Sequence, residues 1–382
     1  PRLASPPLPR YPRPVSPTHS PRPLFPPYPR LPRLLGSYPP VADPGDPFAP
    51  ADGKTLVAIC AAHGNEPAGV AAAQSVLAAL EDGGGAVVGR FVAVIANRAA
   101  LVAGVRYIDT DLNRLWTDAR VTALDGDVRS RARDVPPGSG DTARVPSPVT
   151  SGEHAEQAEL HAALTRLAGP PDAPNPDVAM IDLHTTSSTS APFAIALPTA
   201  RNRRLLAGVT VPLVHGLETR LAGTLTSWLS QRGHAAVSVE GGAHDDPGSA
   251  TNLAHVLMLA LANHGVLARD ADGVARRTAE MAVQRAALAA ASRGRPRSVA
   301  VAYRHAIAPG DGFVMRPGYR NFQPVRPGEE VATSVRGPVR APIGGALLFP
   351  LYQGLGDDGF FIAHRLSTRW PPAAVRSLEV PT

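Results

Sequence analysis

From residue 54 onward the chain alternates short apolar runs with longer stretches of helical periodicity, and no other property of the sequence restricts the fold as much. "TLVAIC", "FVAVIAN", "DVAMIDLH", "FAIAL", "VPLVHG" and "AAVSVE" are each about the length of a strand and bounded by turn residues. Between several of them lie helical patterns such as "PAGVAAAQSVLAAL", "EHAEQAELHAALTRLA" and "ATNLAHVLMLALANHG", with Pro67 suited to a first helical turn. Runs that are apolar throughout belong to strands covered on both faces. The expected fold class is therefore α/β, a mixed, mostly parallel sheet flanked by helices, over residues 51–293. After Pro296 short β-like pieces separated by Gly and Pro, including "SVAVAYRHA", "GALLFPLY" and "GFFIAHR", predict a small β-rich C-terminal domain over 294–382.

Two segments break this rhythm. Residues 1–50 hold 18 of the 42 prolines. Proline at that density removes amide donors and opposes helix and central strand alike, so a disordered or polyproline-II tail is expected there. "PPLPRYPRP" also suits an aromatic-lined groove, although an extension of no specific role is the simpler reading. Residues 118–152, with "RSRARDVPPGSGDTARVPSPVTSG", read as a mobile insert.

The same tail accounts for much of the charge. The formal net charge is +6, but residues 1–50 alone contain six Arg against two Asp. The remainder is close to neutral, which argues against nucleic-acid binding. No apolar run reaches membrane-spanning length. Cys60 is the single cysteine, which excludes an intrachain disulfide and suits a reducing, cytoplasmic setting. It lies in an apolar run, where a buried, inert thiol is expected.

Four clusters of polar residues end or follow the apolar runs, where open α/β sheets collect ligands. They are His63 and Glu66 in "AAHGNEPAGV", Asp182 and His184 in "MIDLHTTSS", Glu240 in "SVEGGAHDDP", and Arg106 to Arg114 in "RYIDTDLNR". Taken singly, each has a plainer reading: a surface histidine, a first-turn acid, a strand-end cap, a solvated turn. Two ligands on one loop and a third from a distant strand end make a plausible His₂Glu zinc site with one position left for water or substrate. Strand alternation puts Asp182 on the same face as His184, where it would orient that ligand.

In this order, "HGNEPAG", "RYIDTDLNR", "IDLHTTS" and "VEGG" resemble the succinylglutamate desuccinylase/aspartoacylase family, a branch of the zinc-carboxypeptidase-like hydrolases. The resemblance spans roughly residues 54–366 and implies a carboxypeptidase-like sheet with a β-rich C-terminal domain. It implies one Zn²⁺ per chain on His63, Glu66 and His184, with Glu240 as general base and Arg106 polarising the scissile carbonyl. Asn113 and Arg114 would hold a substrate carboxylate, Tyr352 would reach the substrate, and Asp111, with Asp109, would support the arginines. The implied activity is hydrolysis of a small N-acyl amino acid. A metallocarboxypeptidase acting on short peptides, or a non-catalytic zinc- or carboxylate-binding module, are the alternatives. A homodimer is compatible with the resemblance. The sequence departs from aspartoacylase before the general-base strand, because Arg232 does not fall at the spacing of the arginine that binds a second carboxylate. His244 could line the site or be an ordinary loop histidine.

Overall fold

The computed structural model describes residues 31–83, 87–133, 152–170, 172–268 and 271–371. In chain order the first half contains β1 (Leu34–Tyr38), β2 (Thr55–Cys60), α1 (Ala68–Asp82), β3 (Arg90–Ile95), α2 (Arg98–Ala103), α3 (Asp118–Arg133), α4 (Glu153–Ala168) and β4 (Val178–Thr186). The chain continues through β5 (Phe193–Ile195), α5 (Ala200–Leu205), β6 (Leu213–His215), α6 (Leu225–Gln231), β7 (Ala235–Ala243), α7 (Gly248–His264) and α8 (Ala271–Ala291). It closes with β8 (Ser298–Ala306), β9 (Val314–Met315), β10 (Gln323–Val325), β11 (Glu330–Ser334), β12 (Gly337–Arg340), β13 (Gly345–Leu348) and β14 (Asp358–Arg365).

Eleven strands form one mixed sheet in the order β1-β3-β2-β4-β7-β5-β6-β8-β14-β13-β10, which is the α/β architecture expected from the alternation. β3, β2, β4 and β7 are mutually parallel, whereas β7 and β5 are antiparallel and every pairing beyond β8 is antiparallel. β2, β3, β4 and β7 are buried along their whole length, as uninterrupted apolar runs require. One core lies between the sheet and α1, α5 and α7, and a second lies on the opposite face under α4 and α6. Cys60 is buried in the first, and burial pushes its thiol pKa up. Among the described residues, no helix is long and apolar enough to cross a membrane.

The structure corrects three boundaries. Residues 31–50 belong to the fold, whereas 1–30 lie outside the described residues. Between Pro32 and Pro39 the chain has six residues that keep their amide donors, enough for an edge strand, and β1 pairs antiparallel with β3 from Leu34↔Val94 to Tyr38↔Phe91. Arg33 is buried beside it, ion-paired to Glu156 and donating to the carbonyls of Ile95 and Ala96. The insert expected over 118–152 begins as α3: prolines start only at 136, and Val121 packs into the second core. Residues 134–151 of that expectation lie outside the described residues. Finally, the β-rich C-terminal region does not stand apart. β8, β14, β13 and β10 extend the main sheet, and only β12-β11-β9 form a separate small antiparallel sheet.

Candidate metal centre

Parallel strands end on a common edge, so the residues after β2 and the last residues of β4 come to the same place, and β7 lies in register with β4 through His184↔Glu240. After β2 the chain turns at Ala61, at φ 54°, and Gly64 lies on the backbone of α2. A Cβ at Gly64 would sit 2.0 Å from the carbonyl carbon of Ala100, so no other residue fits. The Glu66 amide donates to the His63 carbonyl at 3.2 Å, and this turn folds Glu66 back onto His63.

His63, Glu66 and His184 offer ligand atoms that all lie within 4.8 Å of one another. Glu66 is at their centre. Its Oε1 is 2.8 Å from His63 Nδ1, and its Oε2 is 3.1 Å from His184 Nδ1. The Thr185 amide donates to the same Oε2 at 3.0 Å. Each imidazole also faces a carboxylate from its other nitrogen: His63 Nε2 is 3.1 Å from Asp111 Oδ1, and His184 Nε2 is 2.9 Å from Asp182 Oδ2.

This arrangement asks for positive charge. A neutral imidazole donates from one nitrogen only, so its other lone pair would point at a carboxylate oxygen unless a proton or a cation lies between. A cation held by His63, Glu66 and His184 would leave Nε2–H of His63 to donate to Asp111 and that of His184 to face Asp182. Among the residues present, His₂Glu with carboxylate-backed imidazoles fits one zinc ion.

The electrostatics agree. Burial alone would raise the Glu66 carboxyl, but His63 and His184 outweigh it and hold Glu66 well below the usual carboxylate range. Burial likewise opposes ionisation of Asp111, yet His63 and Arg106 hold it well below its ordinary value. His184 would be lowered by burial, and Asp182 and Glu66 instead raise it well above the usual imidazole range. Glu240 is the exception. It is buried, its Oε2 has no hydrogen-bond partner, and burial pushes its carboxyl up to about 8 against the pull of His184. On its other side β5 brings Phe193 into register with it.

Arg106 donates from Nη2 to Asp111 Oδ2 at 2.9 Å and lies 3.7 Å from Glu66 Oε1. The segment carrying it is braced from α4. Glu153 accepts the successive amides of Ile108, Asp109 and Thr110 at 2.6, 3.0 and 3.2 Å, and the Asn97 amide at 3.1 Å. Asp111 then caps a single 3-10 turn, Leu112–Arg114, by accepting from the Asn113 amide. Asn113 Oδ1 accepts from the Leu225 amide, and Arg114 Nη2 donates to Asp358 Oδ2 at 2.8 Å. Asp358 also accepts from Arg304. Gly223, at φ +74°, lies so close to the Arg114 carbonyl that a Cβ would meet its oxygen at 2.1 Å.

These groups open into one cleft, lined by His63, Glu66, His184, Glu240, Arg106, Asn113 and Arg114. Two residues read from the sequence stand elsewhere. Tyr352 does not line the cleft: it is 38 % exposed, and its hydroxyl accepts from the Tyr319 amide and donates to the Arg316 carbonyl. The adjacent Gln353 lines the cleft and bonds Asn65. Arg232 stacks on Trp228 and pairs with Asp118, away from the cleft. His244 stands behind the lining, 2.7 Å from the Thr185 hydroxyl. Glu153 and Asp358 went unread because nothing local marks them. Each acts on a segment far away in the sequence.

Residues 52–135 match the family model described as the Succinylglutamate desuccinylase/Aspartoacylase catalytic domain. Among solved structures, the chain is similar to the succinylglutamate desuccinylase of Vibrio cholerae, with 20% identity and a TM-score of 0.50, covering 82% of each chain. The ectoine utilization protein EutE (DoeB) of Ruegeria pomeroyi gives 20% identity and a TM-score of 0.52, covering 83% of this chain and 86% of that one. A succinylglutamate desuccinylase/aspartoacylase from Rhodobacter sphaeroides gives 18% and 0.52, with 84% and 88% covered. At these identities the likeness is one of fold.

Proposed function

We propose, from the match of residues 52–135 to the Succinylglutamate desuccinylase/Aspartoacylase catalytic domain, that the cleft hydrolyses the amide bond of a small N-acyl amino acid, with one zinc ion on His63, Glu66 and His184. The observation that carries this reading is the closeness of three ligand atoms, each imidazole backed by a carboxylate, to a buried glutamate with an unpartnered oxygen. A zinc ion bound there supplies Lewis acidity toward the scissile carbonyl and lowers the pKa of a bound water.

The remaining chemistry falls to the chain's own side chains. Asp111 and Asp182 hold the two imidazoles in the tautomer that presents Nδ1. Glu240 Oε2 takes a proton from the attacking water and returns it to the leaving nitrogen, a role for which one vacant oxygen in a partly dry site is well suited. The burial that raises the Glu240 carboxyl would be offset by a cation held on the neighbouring ligands. Arg106, 3.7 Å from Glu66, offers fixed positive charge to the developing oxyanion. Arg114 and Asn113 hold the substrate carboxylate. The relatives named above include a desuccinylase of succinylglutamate and a protein of ectoine utilization, in keeping with amide substrates of this size.

The test is metal analysis of the purified protein, joined to a hydrolysis screen of N-acyl amino acids with and without chelator. About one zinc per chain and chelator-sensitive turnover are expected. Metal-free protein with full activity would sink the mechanism.

A further inference from the structure

Away from the metal ligands, the cleft has one continuous apolar wall. Ile195, Leu217, Leu221, Phe349 and Phe361 line it, and all five belong to a single cluster that packs Phe193 and Phe322 behind them. Among the polar lining residues, the hydroxyls of Thr226 and Ser238 satisfy each other at 2.7 Å. Among the described lining residues, the only guanidinium groups are those of Arg106 and Arg114. Both already hold an internal carboxylate, Asp111 and Asp358 respectively.

Phe349 reaches the wall at a cost. Its φ is 51°, which a bulky residue adopts only when its surroundings impose it. The Phe349 amide donates to Asn321 Oδ1 at 2.6 Å, and the fully buried Asn321 bonds Ser188 Oγ in turn. The ring packs edge-on against Phe193 at 5.4 Å and Phe361 at 5.9 Å. Strain of this kind gathers where a side chain is held for a ligand. The wall is also carried by the segments that position the carboxylate grip. Leu221 precedes Gly223 and Leu225, which touch Arg114 and Asn113, and Phe361 follows Asp358 on β14.

We propose that this wall is a specificity subsite for an apolar substituent: the substrate places one carboxylate on Arg114 and, beside it, a branched aliphatic or aromatic side chain in place of a second carboxylate. A second carboxylate there would meet no unpaired guanidinium among the described lining residues and would lie close to Asp357 and Asp358. The inference rests on reading the cleft as the site of amide hydrolysis, so its test uses two independent readouts.

The first is kcat/KM of the zinc-loaded full chain on N-acetyl-L-leucine and N-acetyl-L-phenylalanine against N-acetyl-L-aspartate, with a preference of at least ~10-fold for the apolar pair expected. The second is calorimetric binding of the same three compounds to zinc-loaded Glu240→Gln, with the same order expected. Ile195→Thr, a mild change at a half-buried position, should lower kcat/KM for the leucine compound several-fold and leave that for aspartate within about twofold. If the apolar compounds bind at least ~10-fold tighter but none is hydrolysed by the parent chain, the subsite stands and the hydrolase reading falls. If aspartate is hydrolysed and bound equally well or better, the subsite falls and the hydrolase reading stands. Failure of both apolar compounds to bind, or an equal loss on both substrate types in Ile195→Thr, likewise overturns the subsite.

Discussion

In the half of the sheet made by β3, β2, β4 and β7, strand ends and the loops after them bring His63, Glu66, His184 and Glu240 into one cleft. In the half that runs from β5 to β10, the same cleft receives Ile195, Leu217, Leu221 and Phe361. On the first side almost every ionisable group is held by another: His63 by Glu66 and Asp111, Asp111 by Arg106, Arg106 beside Glu66. On the second side the wall is apolar, flanked by Asp358 with its two arginines and by the strained backbone of Phe349. The contrast separates what the cleft does from what it accepts. A network of mutual charges tolerates few changes without losing its function, whereas an apolar wall can change shape by single side chains.

The polar side should break first and hardest. His63→Ala or His184→Ala removes a ligand and uncovers a buried carboxylate. Metal content should be lost and kcat should fall by ~10³-fold or more, as atomic absorption and turnover will report. Retention of stoichiometric metal by either variant would move the metal site elsewhere. Glu240→Gln keeps the shape and removes the proton carrier. Zinc should remain while kcat drops at least ~10²-fold, and near-normal turnover would take Glu240 out of the reaction. Asp182→Asn leaves His184 in place but weakens its backing. Zinc affinity, measured by competition with a chelating dye, should fall ~10–100-fold, and an unchanged affinity would mean that Asp182 only fills space.

The smallest expected effect lies far from the cleft and tests the edge strand. Arg33→Ala removes a buried guanidinium from Glu156, although Arg98 keeps its own bonds to that carboxylate. Urea unfolding should register a loss of about 1–2 kcal/mol, with kcat/KM nearly unchanged. A stability identical to the parent would return residues 31–38 to the status of a dispensable tail.

The two halves also differ in how far they could be read from sequence. A histidine or glutamate ending an apolar run is conspicuous, because nothing in a covered strand calls for it, and so the His63, Glu66, His184 and Glu240 set was legible. Leu217, Leu221 and Phe361 are not conspicuous, since an apolar residue facing a cleft has the same local pattern as one facing the core. Glu153 is hidden for another reason. It reads as a first-turn acid of α4, and only the fold shows it collecting three amides from the Arg106 segment. β1 was missed because overall proline density outweighed the short proline-free interval that forms it. Tyr352 was misplaced by one residue's worth of chain, with Gln353 facing the cleft in its stead.

Glu240 stands on the seam between the two halves, with His184 beside it in β4 and Phe193 in β5. Opposite influences therefore meet on one proton: burial, with Glu66 and Asp182, holds it on the carboxyl, and His184 and Arg106 draw the group toward ionisation. In the proposed reaction a substrate that fills the apolar wall dries the Phe193 side and makes Glu240 a stronger base toward the attacking water. A poorly fitting substrate leaves the seam wet, so that recognition is felt in the acidity of the catalytic group as well as in binding.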